Sequence, residues 1–186
     1  MIVFAGAPSV GKTTIINCIK NKNTDQTQVT VGANFASHRS IYSNKVVEFQ
    51  IWDTAGMEIY SSLGDSYYRD ANVSIIVFDL TDANSEDMVK FYVDAVKKIN
   101  RENCKFCIVG NKNDLENKMA PKDKIQAFCN ENNYNFFITS AKTGEGIKEM
   151  VDEIVELLIK GKVVGNHGSP GVSIDENSNE KKKSCC

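Results

Sequence analysis

Short apolar runs alternate along this chain with stretches whose apolar residues recur at helical spacing. Runs of β-branched and aromatic residues bounded by polar turns are typical of buried strands. The runs predicted to form strands are Met1–Ala5, Ser40–Ser43, Val46–Trp52, Val73–Leu80, Cys104–Gly110 and Tyr134–Thr139. The polar sequence Ser43-Asn44-Lys45 predicts a hairpin turn between the second and third of them.

Helical patterns separate these strands. Helices are predicted from Thr14 to Ile19, after the start signal at Ser85, from Pro121 to about Asn130, and from Ile147 to Leu158. Alternating strands and helices predict an α/β fold with a mostly parallel sheet and helices on both faces. Ligands of such sheets bind at the carboxyl ends of the strands.

The pattern stops at Gly161. The segment Gly161–Asn179 is rich in Gly, Ser and Asn and lacks periodicity, so it is predicted to be a flexible tail. We therefore divide the 186 residues into a domain at 1–160 and a tail at 161–186.

Composition adds little to this picture. The chain is 41% hydrophobic and 25% charged, with a net charge of -2, which gives no electrostatic ground for a nucleic-acid partner. No apolar run reaches the length of a membrane span, and the start Met1–Phe4 is predicted to be a core strand, not a signal peptide. The lone pair Cys104 and Cys107 is predicted to lie in a core strand, because a zinc site needs four ligands.

The first strand runs into Gly6-Ala7-Pro8-Ser9-Val10-Gly11-Lys12-Thr13, which fits the phosphate-binding pattern G-x-x-x-x-G-K-[ST]. Its glycines let backbone N–H groups turn onto phosphate oxygens, and the following helix adds the positive end of its dipole. Lys12 is expected to reach the β- and γ-phosphates, and the Thr13 hydroxyl to bind Mg²⁺. The candidate phosphate-binding residues are Gly6, Pro8, Ser9, Val10, Gly11, Lys12, Thr13 and Thr14. This motif alone leaves kinases, ATPases and GTPases open.

Two later strand ends suggest that the base is guanine. Asn111-Lys112-Asn113-Asp114 follows the strand Cys104–Gly110, and Ser140-Ala141-Lys142 follows the last strand. The Asp114 carboxylate can accept two hydrogen bonds from guanine N1–H and the 2-amino group, an edge that adenine lacks. Asn111 is expected to brace the loop, the Lys112 stem to pack on the base, and the Ala141 N–H to donate to guanine O6.

Two further segments are candidates for sensing the terminal phosphate. Asp53-Thr54-Ala55-Gly56 follows the strand Val46–Trp52, where an Asp can hold Mg²⁺ through water and Gly56 can turn its N–H toward a γ-phosphate. Thr30 is placed to close over the metal from a loop, although the residues alone do not separate it from Thr24 or Thr27. Loss of the γ-phosphate would release both loops, which is a switch by order and disorder.

These four motifs, in this order, resemble the Ras superfamily of small GTPases from Ile2 to about Lys160. Within it the chain is most similar to the Rab family. The similar segments are Thr30–Phe35, Gln50–Gly56, Glu58–Leu63, Tyr67–Ala71 and Phe78–Thr81. The end Cys185-Cys186 resembles the Rab double-geranylgeranyl site, and it is not a C-a-a-X box because position 183 is Lys. Two prenyl chains would suffice for stable anchoring, and Lys181–Lys183 would add attraction to an anionic leaflet.

The resemblance implies a sheet of six strands, one of them antiparallel, with five helices, GTP or GDP as ligand and Mg²⁺ as cofactor. It implies a monomeric membrane-trafficking switch on the cytoplasmic face of intracellular membranes, with a cytosolic pool bound to a dissociation inhibitor. The other implied partners are an exchange factor, a TBC-type activating protein, a prenylation escort and effectors. Effectors would bind an aromatic patch of Phe35, Trp52 and Tyr67, although ordinary core packing is an equal alternative for Trp52.

The chain departs from the family pattern at several positions. Met57 stands where the family has a Gln that orients the attacking water, and a thioether donates no hydrogen bond. With Lys12, Gly56 and Met57 as the catalytic candidates, we expect slow intrinsic hydrolysis, which a TBC-type protein that brings its own Arg and Gln could still stimulate. A constitutively GTP-bound scaffold is the alternative.

Two other departures concern the nucleotide. Pro8 replaces a small residue that faces the γ-phosphate; it lacks an N–H and has a fixed φ, so it either crowds the attacking water or stiffens the loop. The segment Asn23–Gln26 lacks the aromatic that usually stacks on guanine, so we expect faster nucleotide release. Asn34 replaces an acidic residue, which bears on partner choice. A nucleotide kinase is disfavoured because the motifs at Asp53 and Asn111 would have no role in it.

Overall fold

The computed structural model describes residues 1–21, 30, 32–42, 45–54, 56, 64–100, 104–164 and 172–175. Strands and helices alternate along most of this chain. The strands are β1 (Ile2–Ala5), β2 (Ala33–Tyr42), β3 (Lys45–Thr54), β4 (Val73–Asp79), β5 (Lys105–Asn111), β6 (Asn135–Ile138) and β7 (Val172–Asp175). The helices are α1 (Lys12–Ile19), α2 (Gly64–Arg69), α3 (Ser85–Ile99), α4 (Lys122–Asn132) and α5 (Ile147–Val164).

The sheet is mostly parallel, in the order β2-β3-β1-β4-β5-β6, with β7 paired to β3. The strands β3, β1, β4, β5 and β6 pair in parallel, while β2 runs antiparallel to β3. Phe4 lies opposite Asp53, and Asp79 lies opposite Asn111. These pairings bring the polar ends of β3, β4 and β5 to the edge of the sheet where β1 enters the phosphate-binding loop.

Two hydrophobic cores lie on opposite faces of the sheet. Side chains alternate along a strand, so Ile2 and Phe4 of β1 enter one core while Val3 and Ala5 enter the other. The first core contains apolar residues of α1 and α5, and the second contains residues of α2, α3 and α4. The predicted α/β architecture is confirmed: the six predicted strands β1 to β6 form a mostly parallel sheet with helices on both faces.

Several predicted boundaries were wrong. Strand β2 begins at Ala33, not Ser40; its residues alternate weakly in polarity, but all ten pair in register with β3, from Ala33 opposite Thr54 to Tyr42 opposite Lys45. Helix α2 was missed because six residues carry too little periodicity. The other bounds move by one or two residues, which gives Val73–Asp79, Lys105–Asn111, Lys122–Asn132 and Asn135–Ile138. Of the predicted turn Ser43–Lys45, residues 43 and 44 lie outside the described residues, and Lys45 begins β3.

The predicted flexible tail also needs correction. Helix α5 continues to Val164, and β7 pairs antiparallel with β3, with Val46 opposite Asp175 and Phe49 opposite Val172. The physical reason is that β3 is longer than β1 and pairs with it only from Ile51, so the earlier part of β3 can accept another strand on that side. The described sheet therefore has seven strands. Among the described helices none is both long and apolar enough to span a bilayer.

Candidate functional site

The phosphate-binding loop is a tight backbone turn between β1 and α1. Gly6 and Gly11 have φ values of 137° and 100°, and a Cβ on Gly6 would lie 2.1 Å from the Val77 carbonyl oxygen. Glycine is the residue that accepts both the positive φ and the close approach. Lys12 begins α1 and is only 5% exposed; its ammonium donates to the carbonyl oxygens of Gly6 at 2.8 Å and Ala7 at 2.9 Å. The cation that was predicted to reach the phosphates thus lies inside the loop.

Three oxygen-bearing side chains converge beside this loop. Thr13 Oγ1 lies 2.7 Å from Asp53 Oδ2 and 2.8 Å from Thr30 Oγ1, and Thr30 Oγ1 lies 3.5 Å from the same carboxylate oxygen. Asp53 is 4% exposed at the end of β3. A buried carboxylate with two hydroxyls is a hard oxygen donor set of the kind that Mg²⁺ takes, so these residues fit the ion. They are the three residues predicted as metal ligands.

Asn111 links three segments of the predicted guanine side. Its Nδ2 donates to the Val10 carbonyl at 2.9 Å, and its Oδ1 accepts the Ala141 N–H at 3.0 Å and the Thr139 hydroxyl at 3.4 Å. A Cβ on Gly11 would lie 2.3 Å from Asn111 Nδ2, so the glycine also makes room for this side chain. In this structure the Ala141 N–H is used by Asn111, so donation to a guanine O6 requires that it be shared or redirected.

The remaining predicted base-contacting residues line one cleft. The cleft has a volume of about 340 Å³, and its walls are formed by Ser9, Gly11, Thr14, Asn111, Lys112, Asp114, Leu115, Ala141 and Lys142. Asp114 is exposed, and its Oδ1 accepts the Ser140 hydroxyl at 2.7 Å. That bond orients the carboxylate at the wall of the cleft. The phosphate loop and both base motifs therefore share a continuous surface.

Lys112 has a partner that the sequence did not indicate. Its ammonium lies 2.7 Å from Asp79 Oδ2, at the end of β4, and its backbone φ is 68°. Asp79 Oδ1 accepts the Thr81 N–H and hydroxyl, both at 2.8 Å. Burial acts to raise the pKa of Asp79, but the hydrogen bonds from Lys112 and Thr81 outweigh it and hold the pKa below its ordinary value. The position of Asp79 at a strand end, like that of Asp53, was the sequence signal that could have marked it as part of the site.

Gly56 lies between the phosphate loop and α3. Its carbonyl oxygen accepts the Tyr92 hydroxyl at 2.6 Å, and a Cβ on Gly56 would lie 2.2 Å from the Pro8 nitrogen. Tyr92 is buried, and its helical spacing with Val89 and Val96 marks it only as one of the apolar residues on the packed face of α3. Met57, which follows Gly56 in the chain, lies outside the described residues, so its predicted role is not addressed by the geometry.

The three predicted effector-binding aromatics form one contiguous group. The ring centroids of Phe35 and Trp52 are 5.3 Å apart, and those of Trp52 and Tyr67 are 4.8 Å apart. Phe35 is 52% exposed, whereas Trp52 is half-buried and its indole N–H donates to Met1 Sδ. Trp52 therefore packs both on the domain and on the exposed Phe35, and its role in effector binding stays a prediction.

The cysteines show no metal chemistry in the part of the chain that is described. Cys107 is buried in β5, and burial raises the pKa of both Cys104 and Cys107 to about 12, which keeps their thiols protonated. Among the described residues no group of three or more His, Cys, Asp or Glu side chains could hold a metal ion. Cys185 and Cys186 lie outside the described residues.

The comparison with known families agrees with this geometry. The family model described as "Ras family" matches residues 1–160. The chain belongs to the Ras family. It is therefore a small GTPase, a class that binds GTP and GDP, typically with Mg²⁺, and responds to regulators of the nucleotide state.

Proposed function

We propose that this Ras-family GTPase is a Rab-type switch of membrane trafficking. The observation that carries this proposal is the group Phe35, Trp52 and Tyr67, which we call the aromatic patch. It joins β2, β3 and α2 in one surface. The large exposed fraction of Phe35 suits a hydrophobic contact with an effector.

The nucleotide site works through residues on both sides of the phosphate loop. Asp114 would select guanine, with Lys112 against the base and with Asn111, Ser140, Ala141 and Lys142 shaping the cleft. The amides of residues 6–14 and Lys12 would hold the phosphates. Thr13, Thr30 and Asp53 would hold Mg²⁺, which when bound neutralises charge on the β- and γ-phosphates. Because Thr30 and Gly56 would depend on the terminal phosphate, GTP would order the effector surface and GDP would not.

Hydrolysis would proceed by in-line attack of water on the γ-phosphate, and we expect a low intrinsic rate. The residue that orients this water in the family is replaced by Met57, whose thioether accepts hydrogen bonds only weakly. Pro8 packs beside Gly56 at the edge of the same loop. The second candidate function, a GTP-bound scaffold that recruits effectors without hydrolysing GTP, is favoured by the same substitution. Single-turnover hydrolysis with and without a TBC-type activating protein separates the two.

The trafficking role requires a lipid anchor at Cys185 and Cys186. Double prenylation there would place the protein on the cytoplasmic face of intracellular membranes. An exchange factor would load it, and a dissociation inhibitor would hold its cytosolic pool. The test is incubation of the GDP-bound full chain with a prenylation escort, geranylgeranyl transferase and lipid donor, followed by intact-mass analysis. Two added prenyl groups, absent from a Cys185→Ser, Cys186→Ser control, are expected; an unmodified chain would contradict the Rab assignment.

The nucleotide that co-purifies with the full chain tests the switch itself. We expect stoichiometric guanine nucleotide, and a GTP:GDP ratio higher than that of a Met57→Gln variant purified in parallel. The patch is tested separately by Phe35→Ala, which should weaken GTP-dependent effector capture without changing GDP affinity. Co-purification of adenine nucleotide would overturn the guanine assignment.

A further inference from the structure

Tyr92 is a buried tyrosine whose hydroxyl reaches out of α3 to a backbone group of the nucleotide site. It is 2% exposed, and its hydroxyl donates to the Gly56 carbonyl oxygen at 2.6 Å. The bond spans 36 residues of sequence. Helix α3 packs against β4 and α2, so the donor stands on a fixed support.

Gly56 is held from the other side by the phosphate loop. An added Cβ would lie 2.2 Å from the Pro8 nitrogen, 2.5 Å from Pro8 Cδ and 2.6 Å from the Ala7 carbonyl carbon. The Gly56 backbone thus lies in contact with the loop expected to carry the γ-phosphate. With its Cα against Pro8 and its carbonyl bonded to Tyr92, Gly56 is restrained at two points.

We propose that Tyr92 is a positioning residue that holds Gly56 against the phosphate loop, so that the Gly56 N–H meets the terminal phosphate of GTP. This inference rests on the proposed role of Gly56 as the sensor of that phosphate. It makes α3 part of the machinery that distinguishes GTP from GDP. GDP has no γ-phosphate for Gly56 to contact, so Tyr92 contributes to GTP affinity and little to GDP affinity.

The test uses the full chain with Tyr92→Phe, which removes only the hydroxyl. We expect affinity for a non-hydrolysable GTP analogue to fall about fivefold, the factor for one neutral hydrogen bond, while GDP affinity stays within about twofold. The matched control is Tyr134→Phe, a ring that packs on Phe106 and Phe128 away from the cleft and should change neither affinity. Both affinities are measured by titration of nucleotide-free protein.

The ratio of the two affinities distinguishes positioning from stability. A merely structural Tyr92 would weaken GDP and the GTP analogue equally, and a silent hydroxyl would weaken neither; each result overturns the proposal. If the wild-type protein binds guanine nucleotides and Tyr92→Phe has the same ratio of GTP-analogue to GDP affinity, the GTPase function stands and Tyr92 has no part in it. A wild-type protein with no preference for guanine overturns the proposed function, and the inference with it.

Discussion

The two sides of the nucleotide site are assembled in different ways. On the base side, Asn111 bonds to the backbone of Val10 and of Ala141, so side chain and main chain from three segments hold one another. On the phosphate side, Thr13, Thr30 and Asp53 meet through their side-chain oxygens, and Gly56 is held by the Tyr92 hydroxyl and by contact with Pro8. The base side is thus part of the folded framework, whereas these contacts around Thr30, Asp53 and Gly56 are ones that a ligand can strengthen or release.

This difference indicates how one domain can bind the guanine base in both nucleotide states and still change between a GTP-bound and a GDP-bound form. Side chain-to-backbone bonds at strand ends persist as long as the sheet is folded. The hydroxyls of Thr13 and Thr30 beside the Asp53 carboxylate contribute their full binding energy only when a cation and a phosphate are present. We therefore expect substitutions on the base side to weaken all guanine nucleotides, and substitutions at Thr30, Gly56 or Met57 to act mainly on GTP or on its hydrolysis.

Asp114→Ala should give the largest effect, and it should act on both nucleotides. Each hydrogen bond to a charged group contributes about 1.5–3 kcal/mol, so loss of two should weaken GDP and GTP by roughly 100-fold or more. The variant should also lose discrimination against inosine nucleotides, which lack the 2-amino group. Titration of both nucleotides checks this, with the exposed neighbour Glu116→Ala as control. A loss confined to GTP would contradict the division between the two sides.

Met57→Gln should change hydrolysis alone. An amide can orient the attacking water where a thioether cannot, so we expect single-turnover hydrolysis to rise by about tenfold, equivalent to about 1.4 kcal/mol in the barrier. Met57→Leu is the matched control and should leave the rate as it is. Equal rates for the Gln variant and wild type would place the cause of slow hydrolysis elsewhere, with Pro8 next to be tested.

Asp79→Asn should alter the acid sensitivity of the base side. The folded-state pKa of Asp79 is lowered from 3.8, so its contribution to stability is fully present above that value and is lost as the pH falls through the lower folded pKa. The Asn variant lacks the pH-dependent contribution of the Asp79 carboxylate, so its free energy of unfolding should fall less steeply as the pH is lowered. Urea unfolding between pH 7 and pH 3 measures the slope, with Asp87→Asn, an exposed carboxylate on α3, as control. Parallel slopes would argue against the Lys112 pair.

Ser173→Pro should give the smallest effect, because β7 pairs with the part of β3 that lies away from Asp53 and the nucleotide site. Proline removes an N–H and fixes φ, which disturbs β7 opposite Glu48 while leaving β2 paired to β3. Hydrogen exchange at the amides of Val46–Phe49 that face β7 should quicken, with at most about 1 kcal/mol lost in stability. Ser173→Ala should leave that exchange slow. Unchanged exchange in the proline variant would show that β7 adds no protection.

The sequence predicted the central sheet because its strands are short, apolar and bounded by polar motifs that also mark their ends. The motifs at Asp53 and Asn111 lie at the ends of β3 and β5, so a parallel sheet was enough to bring them to the same end of the sheet. Strand β2 was underestimated because its residues are polar at an edge, and only pairing with β3 determines its length. The contacts Tyr92–Gly56 and Lys112–Asp79 could not be predicted, because each joins residues more than 30 positions apart without a spacing rule.

Strand β7 shortens the chain segment that connects the domain to the proposed prenylation site at Cys185. From the end of α5 the chain could stretch roughly 70 Å to Cys185, but from Asp175 only about ten residues remain, a reach of roughly 35 Å. Since β7 runs antiparallel to β3, the chain leaves the sheet after Asp175 beside Val46, near the β2–β3 connection. If the chain is prenylated and β7 stays paired with β3, the domain would lie close to the bilayer with the β2–β3 end of the sheet toward the headgroups. Release of β7 from β3 would let the domain lie farther from the membrane.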